Sequence, residues 1–155
     1  MNAAFRELVE PLEGLLQQLL SSPRYRRSTL PRQMPIGGVY LFSEAGCPLY
    51  VGRSQARLRD RIRDHGSPHK PHNNASFAAR LVLEVAAHKD PNNMERLPNG
   101  SLLMFSEQEH LAETRSAKAR IAQMDVQFIE ERDPVRRTLL EIYTAVTLAT
   151  PYNDF

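Results

Sequence analysis

The stretch GVYLFSEAGCPLYVG, residues 38–52, constrains the fold more than any other part of the chain. Residues 38–42 and 49–52 are rich in Val, Leu, Tyr and Phe, and the letters SEAGCP between them are typical of a turn. Two such runs joined by a turn predict a β-hairpin. Each strand carries a tyrosine near a glycine, Tyr40 in the first strand and Tyr50 in the second. Valine or leucine would satisfy packing at both positions, so the hairpin is also a candidate functional site.

The other elements follow from hydrophobic spacing and from helix-breaking residues. We predict helices over 3–20, 56–65, 75–88, 107–122 and 134 to about 149, and a strand over 124–131. Because the strands are few and separated by helices, the predicted fold class is α+β, with a small three-stranded, mainly antiparallel sheet flanked by helices. The chain is interpreted as a single domain, residues 1–155, with an N-terminal helix in 1–22, a basic linker at 23–35 and a core at 36–155 that contains a helical insertion at 66–122.

Composition limits the class of protein. No run of about 18 apolar residues occurs, so no membrane span is expected. Cys47 is the only cysteine, which excludes an internal disulfide and fits a reducing, cytoplasmic setting.

Positive charge is concentrated in one segment. Residues 21–70 hold ten Lys or Arg against three acids, whereas the whole chain has a net charge of only +2. An arginine-rich segment suits a polyanion, because guanidinium groups pair with phosphate. From the charge alone, a solvated basic face without a partner is slightly the better explanation.

The helix after the hairpin, "ARLRDRIRDH", brings polar groups to the sheet. On a helical wheel, Leu58 and Ile62 form the buried stripe, and Arg61 and His65 border it. Both side chains can therefore project toward the hairpin tyrosines. Alternatively, Arg61 only lies along the surface with its stem buried.

The last predicted helix contains an unusual acid. In "TLLEIYTAVTLAT", residues 138–150, Glu141 is the only charged residue, and a helix that is apolar on most sides indicates burial. A buried carboxylate needs a partner. One of the many arginines, Arg61 among them, and a divalent cation are equally good candidates.

The combination of these features resembles the GIY-YIG nuclease family. Gly-Val-Tyr at 38–40 is followed after nine residues by Tyr-Val-Gly at 50–52, and the next helix carries Arg61 and, four residues later, His65. The first block has valine where the motif that names the family has isoleucine.

The resemblance extends along most of the chain, over 36–153. Arg53 matches the basic residue that follows the second block, Glu141 matches a glutamate on a later helix, and "PYN", 151–153, matches a proline followed by an asparagine. The segment between His65 and the third strand is longer than in compact members of the family. The resemblance implies the GIY-YIG fold and an endonuclease.

The resemblance also implies a set of catalytic residues: Tyr40, Tyr50, Arg61, His65, Glu141 and Asn153. Glu141 is expected to hold one Mg²⁺ or Mn²⁺ per active site, which suits hard cations that need few protein ligands. Arg61 is expected to neutralise charge on the phosphate in the transition state.

The remaining roles concern water and the substrate strand. Tyr40 is expected to position or deprotonate the attacking water, with nearby cations favouring its phenolate. His65 takes the phenol proton or binds the phosphate, and Tyr50 orients water or phosphate. Asn153 holds the cleaved strand or braces the site.

DNA is the expected partner, and no association with a membrane is expected. The nucleic-acid-binding residues predicted from the charge pattern are Arg53, Arg57, Lys70, Arg24 and Arg27. A homodimer or a protein partner is left open as the source of specificity.

Two other functions compete with the endonuclease. A noncatalytic nucleic-acid-binding module would retain the same fold without cleavage. A tyrosine strand transferase would form a covalent protein–DNA adduct, and we consider this the weakest hypothesis.

Overall fold

The computed structural model describes residues 1–70, 76–89 and 111–155. Its elements, in chain order, are α1 Ala3–Val9, α2 Leu12–Ser21, a short 3₁₀ helix Arg27–Thr29, β1 Gly38–Glu44, β2 Cys47–Ser54, α3 Leu58–His65, α4 Ser76–Lys89, α5 Leu111–Gln123, β3 Asp125–Glu130 and α6 Pro134–Leu148. The beginning of the predicted helix over 107–122 and residue 75 lie outside the described ranges.

The sheet has three strands in the order β2–β1–β3 within the described part of the chain. Strand β1 is central and pairs antiparallel with both neighbours. Helices flank the sheet on both sides, and the α+β class predicted from the sequence is confirmed. Since β1 is fully buried, its run of apolar residues on both faces is what a central strand requires.

The hairpin turn is tighter than the sequence indicated. Strand β1 continues to Glu44 and β2 begins at Cys47, so only Ala45 and Gly46 form the loop rather than all of SEAGCP. Both loop residues have positive φ, 49° at Ala45 and 79° at Gly46, as a type I′ turn demands. Such a turn matches the twist of the strands and extends their pairing by several residues.

Two hydrophobic clusters sandwich the sheet. Tyr40, Phe42 and Tyr50 point to the side covered by α3, α4 and α5. Val39, Leu41 and Val51 point to the other side, where α2 and α6 pack. The strand alternation that separates these two sets of side chains also decides which groups meet at the candidate site.

The N-terminal region differs from the single helix predicted over 3–20. It breaks into α1 and α2 at Glu10 and Pro11, and Pro11 occupies the N-cap position of α2 because its ring cannot continue a preceding helix. The following segment, predicted as a linker, packs against the core. Tyr25 forms a β-bridge with Val126, and the Leu30 side chain is buried in the core.

Helix α6 begins as the sequence predicts and is less buried than predicted. Asp133 caps it, with its Oδ1 accepting from the backbone N–H groups of Val135 at 2.9 Å and Arg136 at 2.8 Å. However, Ile142 and Val146 are exposed, so the helix buries only the face that carries Leu140 and Ala145. Within the described ranges, the helices all fall short of the length and hydropathy that a membrane span requires.

Candidate active site at the hairpin

The strand register places both tyrosines on one face of the sheet. Tyr40 pairs with Gly52 and Phe42 pairs with Tyr50, so residues of equal parity face the same side. A Cβ atom at Gly52 would lie 2.8 Å from Cε2 of Tyr40 and still closer to Cζ and the hydroxyl oxygen. The glycine therefore leaves the space that the Tyr40 ring occupies as it crosses β2. This is why a tyrosine and a glycine occur together in the hairpin.

Helix α3 supplies two partners for the Tyr40 hydroxyl. The hydroxyl lies 2.7 Å from Nε2 of His65, and the Arg61 guanidinium donates a hydrogen bond to it. Arg61 can only donate, so the phenolic oxygen accepts from Arg61, while the direction of the bond between the hydroxyl and His65 Nε2 follows the tautomer of the imidazole ring. The second His65 nitrogen, Nδ1, is buried and has no hydrogen-bond partner among the described residues.

Both titratable groups of the Tyr40–His65 pair are neutral. Burial lowers the pKa of His65 to about 3, with further lowering by the charges of Arg61 and Lys118. Burial also raises the pKa of Tyr40 well above its ordinary value, and Arg61 only partly opposes this. Desolvation outweighs the attraction of Arg61 at the Tyr40 phenol, and the effect of a bound metal on the ionisation of this phenol stays a prediction.

The neutral state of His65 makes protein stability depend on pH. In the unfolded chain the imidazole takes up a proton below about pH 6.5, whereas the folded protein takes it up only near pH 3. The unfolded state binds more protons between these values, so the free energy of unfolding is expected to fall as pH drops through this window. Urea unfolding of wild type and of His65→Gln, repeated at steps of about one pH unit between about pH 7 and about pH 4, measures this contribution.

The matched control for that experiment is His69→Gln, because the His69 side chain is exposed. We expect this variant to keep the wild-type pH profile and His65→Gln to flatten it. Parallel pH profiles for all three proteins would contradict a buried, neutral His65.

An aromatic stack holds Tyr50. Its ring is stacked on Phe77 of α4, with centroids 4.7 Å apart and planes at 6°, and it meets His65 edge-on at 5.4 Å. The Tyr50 phenol also lies within electrostatic range of Arg80, the next basic residue on α4. The tyrosine is therefore fixed by the inserted helix as well as by its own strand.

Glu141 approaches from the opposite face, on α6. Its Oε2 accepts from Nε of Arg53 at 2.7 Å, and its side chain is 15% exposed against 45% for that of Arg53. Burial raises the pKa of Glu141, while Arg53 and, more weakly, Arg61 lower it. The charge of Glu141 in turn raises the pKa of Tyr40. Among the arginines that the sequence left open as partners, Arg53 rather than Arg61 makes the close contact with Glu141.

A metal at this site would have few protein ligands. Among the residues in the described ranges, no three His, Cys, Asp or Glu side chains gather into a metal-binding group. A single carboxylate fits Mg²⁺, which keeps several waters and is bound through one or two carboxylates together with substrate phosphates. Glu141 fits such a site if Arg53 moves toward the phosphate when substrate binds.

Asn153 braces the edge of the sheet. Its Nδ2 donates to the Val51 carbonyl oxygen at 2.8 Å, and its Oδ1 accepts from the Val51 N–H at 2.9 Å. The hydroxyl of Thr150 donates to the same Oδ1 at 2.8 Å. The Asn153 amide thus holds β2 between Tyr50 and Gly52, and its role in catalysis stays a prediction.

The five predicted nucleic-acid-binding residues differ in their surroundings. Arg24, Arg57 and Lys70 are exposed, and Arg57 forms a surface ion pair with Asp60. Arg27 is half-buried, and its Nε donates to the Arg63 carbonyl oxygen at 3.1 Å, which ties the 23–35 segment to α3.

Sequence reasoning missed two residues at this site. Phe77 supports Tyr50, and its only signal is its place on the apolar side of a predicted helix. Lys118 is buried and lowers the pKa of His65 from α5, and a single lysine in a polar helix gives no warning of this.

Comparison of the chain with protein-family models, with curated proteins and with solved structures gives no match in any of the three. The arrangement itself defines a class of site: two buried phenols, a neutral imidazole, an arginine and a carboxylate gathered at a three-stranded sheet. The family resemblance rests on those residues and their order, and it remains a prediction.

Proposed function

We propose that the protein is a metal-dependent endonuclease of the GIY-YIG family that hydrolyses DNA phosphodiester bonds. One observation carries the proposal. Tyr40 lies within hydrogen-bonding or electrostatic range of Arg61 and His65 on α3 and of Glu141 on α6, and Glu141 lies within electrostatic range of Arg61. Packing alone gives no reason for a carboxylate, a guanidinium and two neutral polar rings to meet at one place.

In this proposal the guanidinium of Arg61 has two tasks. It holds the Tyr40 hydroxyl by a hydrogen bond, and its half-exposed position leaves it able to bind a phosphate oxygen. Tyr40 orients the attacking water as a neutral phenol, since its raised pKa opposes ionisation. The hydrogen bond between the Tyr40 hydroxyl and His65 Nε2 fixes the position of that hydroxyl.

The cation belongs beside Glu141. A bound Mg²⁺ or Mn²⁺ would supply a Lewis acid for a phosphate oxygen and for the leaving oxygen. Arg53, which neutralises Glu141 in the free protein, is then available to pair with the DNA backbone. One carboxylate at the site favours one metal ion for each active site.

The test is plasmid nicking by Glu141→Gln, with and without Mg²⁺. We expect the variant to lose cleavage by about 100-fold or more, since it removes the metal ligand, and to retain DNA binding. Supercoiled plasmid, branched, single-stranded and RNA substrates are compared in one assay because the preferred substrate is open.

Glu44→Gln is the matched control. Glu44 also pairs with an arginine, Arg120, at 2.6 Å, but it lies at the turn end of the hairpin. Nicking by Glu44→Gln at the wild-type rate, together with loss in Glu141→Gln, supports the proposal. Undiminished Mg²⁺-dependent nicking by Glu141→Gln would refute it.

A specific observation favours a second candidate, the noncatalytic nucleic-acid-binding module. Tyr40 is 0% exposed and Tyr50 7% exposed, so both side chains are almost closed to water and phosphate unless binding uncovers them. This candidate predicts DNA binding by the wild type with no cleavage of any substrate in Mg²⁺ or Mn²⁺.

A further inference from the structure

A groove of about 400 Å³ opens next to the candidate active site. Its walls include Gly37, just before β1, and Gln55, just after β2, and its floor includes Arg137 of α6. Arg137 precedes Glu141 by one helical turn, about 5.4 Å along the axis, so both residues lie on the same side of α6. The groove therefore continues the candidate site along α6.

Arg137 is an exceptional residue in this position. It is only 3% exposed. Within the described residues, its side chain makes one hydrogen bond, in which Nη1 donates to the Glu131 carbonyl oxygen at 3.0 Å. Its Nε is buried without a hydrogen-bond partner. A buried guanidinium normally pairs with an anion, because an uncompensated charge in a protein interior is costly.

The acids at the groove do not compensate Arg137, because each pairs with another arginine. The Glu131 carboxylate accepts from Arg136 at 2.7 Å and 3.1 Å. The Glu130 carboxylate accepts from Arg132 at 2.9 Å, on the surface. The nearby Asp133 carboxylate accepts from the backbone N–H groups at the start of α6, so none of these three carboxylates forms an ion pair with Arg137 among the described residues.

We propose that this groove binds a phosphate group, with Arg137 as its principal contact. A phosphate supplies both a negative charge and several acceptor oxygens, which match a guanidinium that has no carboxylate partner among the described residues. The groove is also lined by Gly37, the exposed Gln55 and the exposed side chain of Ile36. If the function proposed above holds, this phosphate belongs to the nucleic-acid backbone and neighbours the phosphate that binds beside Glu141; this assignment rests on that proposed function.

Binding of inorganic phosphate tests the groove without reference to DNA. Phosphate at about ten times its dissociation constant is expected to raise the Tm of the wild type by roughly 3 °C. Arg137→Met, which keeps the length of the side chain, is expected to abolish the rise. Gln55→Glu, an exposed substitution that leaves Arg137 in place, is expected to do the same by presenting a carboxylate to the guanidinium. The second variant keeps the test valid where the first fails to fold.

Arg132→Gln is the control, since Arg132 lines the same groove but has a side chain that is 86% exposed. We expect it to keep the phosphate-induced rise in Tm. An equal rise in wild type and Gln55→Glu, or no rise in wild type up to high phosphate concentration, overturns the proposal.

Binding of a duplex oligonucleotide in EDTA tests the source of the phosphate. We expect Gln55→Glu and Arg137→Met to weaken binding about tenfold or more and to lower the slope of log K against log salt by about one unit. Phosphate stabilisation with unchanged DNA binding supports a site for free phosphate and overturns the backbone assignment. Since EDTA prevents cleavage, failure of this test is independent of the nicking experiment.

Discussion

Replacing Gly52 with alanine is expected to lower the free energy of unfolding by about 1–3 kcal/mol, as overpacking of a close-packed interior does. The added methyl group would overlap the Tyr40 ring. Neighbouring rings restrict movement of the Tyr40 ring, because the ring centroid of Phe42 lies 5.8 Å away in an edge-on arrangement and that of His65 lies 5.6 Å away. Any shift that relieves the overlap also strains the 2.7 Å hydrogen bond between Tyr40 and His65. Urea denaturation at pH 7 measures the loss of stability.

Gly14→Ala is the opposite case and serves as the control. Gly14 lies inside α2, where an added Cβ atom meets no other atom within 4 Å. Alanine there should stabilise the protein by about 0.5–1 kcal/mol, because glycine is unfavourable in a helix interior. The two identical substitutions should therefore change stability in opposite directions. Equal stability of Gly52→Ala and wild type would mean that the Tyr40 ring does not cross β2 at this position.

Phe77→Ala is expected to cost about 3–5 kcal/mol, the range for removing a buried phenylalanine. The Phe77 side chain is 0% exposed and contacts four rings, those of Phe42, Tyr50, His65 and Tyr152. Its removal leaves a cavity under Tyr50, so we also expect any cleavage activity to fall more than the loss of folded protein explains. The measurements are denaturation and nicking at a temperature where the variant stays folded.

Phe5→Ala provides the comparison for this substitution. Phe5 lies on α1 and is 46% exposed, so its removal is expected to change stability by less than about 1 kcal/mol. Phe77→Leu, which refills most of the cavity, should recover part of the stability lost in Phe77→Ala. Similar effects of Phe5→Ala and Phe77→Ala would argue against α4 as a support of the hairpin.

Much of the fold was predictable because strong local signals agree with tertiary packing. The hairpin, the cap at Asp133 and the end of α3 at Gly66 each depend on a few adjacent residues. The errors have local causes too. Ala45 takes a positive φ that alanine rarely adopts, so the sequence did not predict the two-residue turn. Pro11 divides the predicted N-terminal helix although the helical spacing of leucines continues on both sides of it.

The candidate site was predictable in its membership but not in its electrostatics. Helical spacing correctly brought Arg61 and His65 toward Tyr40, and it left the partner of Glu141 open. The choice of Arg53 depends on the strand register, which puts this side chain on the α6 side of the sheet. The neutrality of Tyr40 and His65 depends on burial by α4 and α5, elements whose packing the sequence pattern does not specify.

The segment that follows α6 has a consequence for solubility. Strand β2 is an edge strand of the sheet. The N–H of Tyr152 donates to its Leu49 carbonyl oxygen, and the Asn153 amide hydrogen-bonds to the backbone of Val51. On the opposite margin, the bridge from Tyr25 engages Val126. Uncapped margins of this kind are templates on which further strands add, the first step of aggregation. The two flanking segments therefore cover the edge strands and oppose the addition of strands from other molecules.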